Sequence, residues 1–271
     1  MTALTFASTP VVVLEIKDNC RRAAMLMSRH QVRHLPVLDE AIPVGMVSDR
    51  DLLSAIGRWE ADAGHPDGAV SDWADRLCVQ DIMSSPLICA APDESLECVV
   101  SKMLSNRISA VAVKLDNRLL GIVAETDCLR SYTGEWEWQR QQVLDHMTAN
   151  VHNVSPEEPI HRAWRLMHDK RIRHLIVSHK GGLLGILSDR DILGGITWET
   201  AGSKGIRDQV RKIMTPEVAT VAPHAALTEV AKEMVRRRIG ALPVCDERGL
   251  VGIITETDLL RAMVAATGGE K

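Results

Sequence analysis

Residues 242–258, LPVCDERGLVGIITETD, contain the clearest copy of the pattern from which the fold can be predicted. A short β-type run at 242–244 is followed by a turn-forming segment and by a second apolar run around Gly252, and Asp258 then opens an amphipathic segment. Upstream, apolar residues recur at helical spacing from Leu227 to Met234, and residues 218–221 form another β-type run. The unit therefore predicts the order β-α-β-β-α, which belongs to the α+β class.

The same template occurs four times in one register. In each copy the opening apolar residue, the methionine seven positions later, a glycine and an aspartate recur: Cys20, Met27, Gly45 and Asp51; Leu96, Met103, Gly121 and Asp127; Ile160, Met167, Gly185 and Asp191; Leu227, Met234, Gly252 and Asp258. Such regularity indicates internal duplication and a repeat architecture. One unit is too small to bury a sufficient core alone, so we expect the units to pair.

The repeats alternate between two types. Repeats 1 and 3 share Ser-Asp-Arg-Asp at 48–51 and 188–191, whereas repeats 2 and 4 carry Glu-Thr-Asp at 125–127 and 256–258. We infer that a two-repeat module was built first and then doubled. The predicted repeats are 1–57, 79–133, 142–197 and 210–266, and they group into modules 1–133 and 142–266.

Composition narrows the class of protein. The formal net charge of −4 argues against a general nucleic-acid binder, and 45% hydrophobic residues are enough for a packed core. No apolar run reaches the length of a membrane-spanning helix, so no membrane partner is expected. The six cysteines are scattered without a Cys-x-x-Cys pair, which fits a reduced cytoplasmic protein.

The junction of the third strand and the second helix is the candidate ligand site. In three repeats a hydroxyl residue precedes the aspartate by three positions: Ser48 and Asp51, Ser188 and Asp191, Thr255 and Asp258. A helix N-terminus favours phosphate, and a carboxylate there can accept hydrogen bonds from ribose hydroxyls. The alternative is a plain helix cap, and the two roles can coexist. Repeat 2 keeps Asp127 but has Ala124 in place of the hydroxyl residue.

The template resembles the cystathionine-beta-synthase (CBS) domain, which occurs in tandem pairs called Bateman modules. The matching pieces are the Leu-Pro-Val strand, the spacing from glycine to aspartate, and the entry segments at 82–84, 146–148 and 213–215. Four repeats without an attached enzyme resemble the gamma subunit of AMP-activated protein kinase and stand-alone bacterial regulators. The resemblance implies two modules in a flat disc with clefts for adenosine compounds between repeats.

The resemblance also assigns roles to residues outside the junction. It implies that Arg33 and His34, and likewise Arg173 and His174, face ligand phosphates. The alternative is a solvated helix end, where cations are favourable.

Two polar residues of the first strand complete the predicted site. The resemblance implies that Asn153 and Thr220 lie near the base, although Thr220 is also an ordinary strand residue.

These patterns favour a regulatory sensor. The expected ligand is AMP, ADP or ATP, with S-adenosylmethionine or NADH as further candidates, and the sensor would act on an unidentified regulated protein as a monomeric disc or a homodimer. The alternative is a scaffold with vestigial clefts. No metal-ligand spacing, nucleophile elbow or phosphate loop is present, so no enzyme activity, catalytic residue or metal site is predicted.

Overall fold

A computed structural model describes residues 2–62, 74–132, 141–195 and 208–267. It confirms the mixed α/β fold of four repeats. The predicted ends of repeats 2 and 3, at 133 and 197, lie outside the described residues.

Repeats 1 and 2 contain six strands and four helices, preceded by the short helix α1. Their bounds are α1 (Ala3–Phe6), β1 (Leu14–Glu15), α2 (Cys20–His30), β2 (His34–Asp39), β3 (Ile42–Ser48), α3 (Asp49–Asp62), β4 (Cys89–Ala90), α4 (Leu96–Asn106), β5 (Ala110–Leu115), β6 (Arg118–Ala124) and α5 (Glu125–Tyr132).

Repeat 3 follows the same order, whereas repeat 4 has no first strand and is preceded by a short strand that pairs with repeat 3. Their bounds are β7 (Asn153–Val154), α6 (Ile160–Lys170), β8 (His174–His179), β9 (Gly182–Ser188), α7 (Asp189–Gly195), β10 (Thr215–Pro216), α8 (Leu227–Arg237), β11 (Ala241–Asp246), β12 (Gly249–Thr255) and α9 (Glu256–Thr267). None of the helices described is long and apolar enough to cross a bilayer.

The strands of each repeat pair in the same way. The second and third strands form an antiparallel hairpin, and in repeats 1 to 3 the short first strand pairs parallel with the second. Repeat 4 keeps the antiparallel hairpin of β11 and β12. Because all four sheets are so short, each repeat depends on its helices and neighbours to bury its apolar face.

The strand predicted at 218–221 is wrong, since only a single parallel bridge joins Val221 to Val244. In repeat 1 the N–H of Ile16 extends the pairing by donating to Leu38, and in repeat 3 the N–H of Ile176 does so by donating to His152. Repeat 4 has prolines at both matching positions, Pro223 and Pro243. A proline has no N–H to donate, so the ladder cannot grow in either direction.

Contacts divide the chain into two compact units. The 1/3 unit comprises Val12–Ile88 and His152–Pro216, which hold the strands and helices of repeats 1 and 3. The 2/4 unit comprises Met1–Val11, Cys89–Val151 and Glu217–Lys271, which hold those of repeats 2 and 4. The predicted modules 1–133 and 142–266 are a different grouping and stay a prediction.

Each unit has one apolar core to which both of its repeats contribute. In the 1/3 unit, α3 packs against α6 and α7, and the buried residues Leu52 and Ile56 of α3 join Ile192 of α7 in one cluster. In the 2/4 unit, α5 packs against α8 and α9. The template methionines Met27, Met103, Met167 and Met234 are all buried. The apolar stripes that define the template therefore form the two cores.

The template glycine of the third strand allows another segment of chain to approach. In the 1/3 unit, β10 pairs antiparallel with β9, opposite Gly185. A Cβ atom at Gly185 would lie 2.4 Å from the carbonyl oxygen of Thr215, closer than real contacts allow. The entry segment before repeat 4 thus joins the sheet of repeat 3 because this position has no side chain.

Candidate ligand-binding site

The template aspartate of repeat 1 caps its own helix. The backbone N–H and the hydroxyl of Ser48 donate to Oδ2 of Asp51 over 2.8 and 2.7 Å, and the N–H of Asp51 donates to Ser48 Oγ over 3.3 Å. This exchange is a capping box, in which side chain and backbone satisfy each other at the helix N-terminus. The cap fixes the carboxylate at the end of a helix.

Repeats 3 and 4 have the same arrangement. Ser188 donates to Oδ2 of Asp191 from its N–H over 2.8 Å and from its hydroxyl over 2.7 Å. Thr255 donates to Oδ2 of Asp258 over 3.0 and 2.7 Å. Burial raises the pKa of Asp191 above its usual value, while the bonds from Ser188 oppose that rise.

Repeat 2 lacks the hydroxyl donor but keeps the carboxylate in place. The backbone N–H of Ala124 donates to Oδ2 of Asp127 over 2.9 Å. Asp127 is buried, and this burial raises its pKa, with the Ala124 and Arg130 interactions acting in the opposite direction. The position therefore keeps its geometry and loses one hydrogen bond.

A feature that sequence reasoning missed separates the two types of repeat. Oδ1 of Asp127 binds Arg130 Nη1 over 3.1 Å, and Oδ1 of Asp258 binds Arg261 Nη1 over 3.2 Å. Repeats 1 and 3 have Ser54 at one matching position and glycine at the other. The Asp-x-x-Arg spacing, which places both side chains on one helical face, was the available signal.

The predicted phosphate residues of repeats 1 and 3 come together within the 1/3 unit. Burial and then the charges of Arg173, Arg33, Arg190 and Arg50 lower the pKa of His174 to about 3. The pKa of His34 is likewise lowered, by burial first and then by three of the same arginines. Both imidazoles are thus neutral near pH 7, and the positive charge of the cluster resides on arginines.

Arg50 and Arg190 were also missed by sequence reasoning. Each is an exposed residue in the first turn of its helix, α3 or α7, directly after a buried aspartate. They are part of the Ser-Asp-Arg-Asp motif that distinguishes repeats 1 and 3, so the signal was the alternation itself. The 1/3 unit therefore holds four arginines that can act on an anion.

The matching place in the 2/4 unit has a different chemistry. Glu125 and Glu256 are buried at the starts of α5 and α9. The hydroxyl of Thr126 donates to Glu256 Oε1 over 2.6 Å, and that of Thr257 donates to Glu125 Oε1 over 2.7 Å. These two bonds join repeats 2 and 4.

Asn153 and Thr220 are both exposed. Asn153 lies in β7, and its Nδ2 donates to Ser178 Oγ over 3.1 Å. Thr220 is outside any strand, next to the single bridge at Val221. A role for either residue near a base stays a prediction. Within the described part of the chain, no group of three or more His, Cys, Asp or Glu side chains is placed to hold a metal ion.

Comparison with known families identifies the repeats. The profile of the CBS domain matches residues 4–58, 79–134, 142–197 and 210–265.

Similar proteins extend over nearly the whole chain. Uncharacterized protein MJ1225 of Methanocaldococcus jannaschii is 26% identical over 270 residues, which cover 93% of this chain and 94% of that protein. An uncharacterized 33.4 kDa protein in the ribosomal RNA operon of Thermofilum pendens is 28% identical, covering 96% of this chain and 90% of its own length.

The crystal structure of MJ1225, a proposed archaeal homologue of g-AMPK, aligns with a TM-score of 0.86 at 22% identity and covers 97% of this chain and 100% of that one. At this identity the likeness establishes the fold.

Proposed function

Since the chain belongs to the CBS-domain family through all four of its repeats, we propose that it is a regulatory protein that binds an adenine nucleotide or a related adenosyl compound. AMP, ADP and ATP are the first candidates, and S-adenosylmethionine and NADH follow. The protein acts without catalysis: ligand binding shifts its conformation, and a regulated partner protein responds to that shift.

The carboxylate at the start of the second helix, repeated four times, carries this proposal. In every repeat a backbone N–H donates to Oδ2 of the aspartate, at 2.8 to 3.0 Å. A carboxylate held in this way is preorganised, because it does not have to lose conformational freedom when a sugar binds. Its other oxygen can accept from the ribose hydroxyls, with Arg130 or Arg261 moving aside in repeats 2 and 4.

The arginines of the 1/3 unit support a phosphorylated ligand. Guanidinium groups bind phosphate oxygens in a bidentate manner, and the N-termini of α3 and α7 add partial positive charge. The neutral state of His34 and His174 leaves them able to accept or donate one hydrogen bond each. We expect phosphates to contact Arg33 and Arg173 first.

A regulatory role requires that the ligand bind one arrangement of the protein more tightly than another, because equal affinity for both shifts nothing. All six cysteines lie among the described residues, and none of them forms a disulfide there. This agrees with a reducing compartment, so we place the protein in the cytoplasm.

The proposal is tested by thermal denaturation of the full chain with AMP, ADP, ATP, NADH and S-adenosylmethionine in parallel. A ligand at about 100 times its Kd adds roughly 2.7 kcal/mol, which corresponds to a rise in Tm of several degrees for a protein of this size. No change with any of the five compounds would contradict the proposal and leave the scaffold as the alternative.

Variants then test the sugar-binding role. Asp191→Asn and Asp258→Asn keep an oxygen that can accept the cap bonds but lose the charge and one acceptor. We expect each to weaken binding at its own site at least tenfold in isothermal calorimetry, while Asp116→Asn, at an exposed turn, leaves affinity unchanged. Unchanged affinity in both site variants would show that these carboxylates do not hold the ligand.

A further inference from the structure

Asp49 and Asp189 occupy the first positions of α3 and α7, and they are only 5% and 6% exposed. Oδ1 of each accepts the backbone N–H of the following arginine over 2.9 Å. Oδ2 of each is shielded from solvent and has no hydrogen-bond partner among the described residues. A buried carboxylate oxygen without a donor is costly, so the pair needs an additional hydrogen.

The 2/4 unit shows how the same problem is solved elsewhere in the chain. At the matching positions, each buried glutamate receives a hydroxyl hydrogen bond from the threonine of the other repeat, Thr126 or Thr257. In the 1/3 unit the residue in the place of that threonine is Arg50 or Arg190, whose side chain is exposed. The missing donor is therefore specific to repeats 1 and 3.

The charges around Asp49 act in opposite directions on its pKa. Burial and the negative charge of Asp189 raise the pKa of Asp49, and the positive charges of Arg33 and Arg173 lower it, with a net rise to about 7. The starts of β2, β8, α3 and α7 also carry the charged or titratable residues His34, His174, Arg50, Asp51, Arg190 and Asp191. The carboxylates of Asp49 and Asp189 are both buried and interact electrostatically, so they resist ionising together.

We propose that Asp49 and Asp189 form a single proton-binding site between repeats 1 and 3, in which the pair holds one proton that supplies the missing donor. Loss of that proton leaves two negative charges at the starts of two packed helices. The contact between α3 and α7 is therefore strongest when the proton is bound, and it weakens as the pair becomes fully ionised.

This site also affects ligand binding, an extension that rests on the proposed function. Arg33 and Arg173 oppose protonation of Asp49, and they are the first expected contacts of a ligand phosphate. An anion that neutralises these arginines strengthens proton binding, and by reciprocity a bound proton strengthens anion binding. Phosphorylated ligands should then bind more tightly as the pH falls through the titration of the pair.

The proton site is tested on the ligand-free full chain by measuring Tm from pH 4.5 to 8.5. Between the usual carboxyl pKa and about 7, the native state holds a proton that the unfolded state has lost, so the pair reduces stability as the pH rises. His34 and His174, whose pKa values are lowered, make stability increase with pH below about pH 6.5 and so oppose the effect of the pair. For this reason the Tm of a variant is compared with that of the wild type at each pH.

Asp49→Asn supplies a permanent N–H donor and removes one charge. We expect its Tm minus that of the wild type to increase by about 3 °C per pH unit up to about pH 7 and then to level off. Glu125→Gln, the matched change in the 2/4 unit, should leave the wild-type pH profile in place. If the difference in Tm between Asp49→Asn and the wild type does not change with pH, the proposal is overturned.

A second measurement avoids dependence on the variant's folding. In wild-type protein labelled with ¹³C at the aspartate carboxyl carbons, at least one resonance should titrate well above pH 5, and titration of all of them below pH 5 would overturn the proton site. With ADP, calorimetry in two buffers of different ionisation enthalpy then counts protons taken up. If no nucleotide binds, only the proposed function is contradicted. The proton site is tested separately, by the titration of the ligand-free protein.

Discussion

The hydroxyl of Thr126 donates to Oε1 of Glu256 over 2.6 Å, and this bond joins repeat 2 to repeat 4 although 130 residues separate the two along the chain. Its counterpart joins Thr257 to Glu125. The two bonds give each buried glutamate a donor from the other repeat. The Glu-Thr-Asp motif is thus a recognition element between repeats as well as part of a helix N-terminus.

Loss of either hydroxyl should destabilise the 2/4 unit. We expect Thr126→Val and Thr257→Val each to lower the free energy of unfolding by about 1 to 3 kcal/mol, because a buried charged oxygen loses its donor. Thr5→Val is the control, since the hydroxyl of Thr5 pairs with Thr2 in an exposed position. Urea denaturation measures all three, and a loss no greater than that of the control would show that the bonds contribute little.

The incomplete cap of repeat 2 can be repaired. Ala124→Ser should raise the free energy of unfolding by about 0.5 to 1 kcal/mol, because the new hydroxyl can bond Asp127 as Ser48 bonds Asp51. The reverse change, Ser48→Ala, should lower it by about 1 kcal/mol. Denaturant titration measures the free energy of unfolding of both variants. If it changes in the same direction in both, the capping role is contradicted.

Gly57 should tolerate no side chain. A Cβ atom there would lie 1.7 Å from Cη2 of Trp164, which packs against the 1/3 core. Gly57→Ala should therefore destabilise the protein by about 1 to 3 kcal/mol through overpacking. Gly194→Ala in α7 is the matched control, because nothing lies within 4 Å of its Cβ position, and it should stabilise the helix slightly. If both changes are neutral, the close contact of Gly57 with Trp164 is not present in solution.

The cysteines should react at very different rates. Cys98 is exposed, whereas Cys128 is fully buried, and burial followed by the charges of Asp127 and Glu125 raises its pKa. Burial also raises the pKa of Cys20, to about 12. Alkylation requires a thiolate that the reagent can reach, so labelling of the native protein should be rapid at Cys98 and absent at Cys20 and Cys128.

Mass spectrometry after timed alkylation identifies the labelled residue. Cys98→Ser should remove the fastest reaction, and unfolding in urea should equalise the remaining rates. Rapid labelling of Cys128 in the native protein would contradict its burial.

The repeat and its local structure could be predicted from the order of residues alone. The spacing of apolar residues around Met27, Met103, Met167 and Met234 identified the helices, because one helical face must be apolar to be buried. The step from glycine to aspartate located the junction between strand and helix. These features depend on neighbours in the chain, so they can be read from the order of residues. The strand at 218–221 was the exception, since its failure depends on Pro223 together with Pro243, a proline in the strand with which it would pair.

Which repeats share a core became apparent only from the contacts of the folded chain. The alternation of Ser-Asp-Arg-Asp and Glu-Thr-Asp was visible in the sequence, but its meaning was not, because it depends on contacts across more than a hundred residues. Repeats of the same type share a core. The buried Glu256 therefore accepts a hydrogen bond from Thr126, and Asp49 interacts electrostatically with Asp189. A carboxylate beside a hydroxyl is satisfied and a carboxylate beside another carboxylate needs a proton, and that difference exists only after the chain has folded.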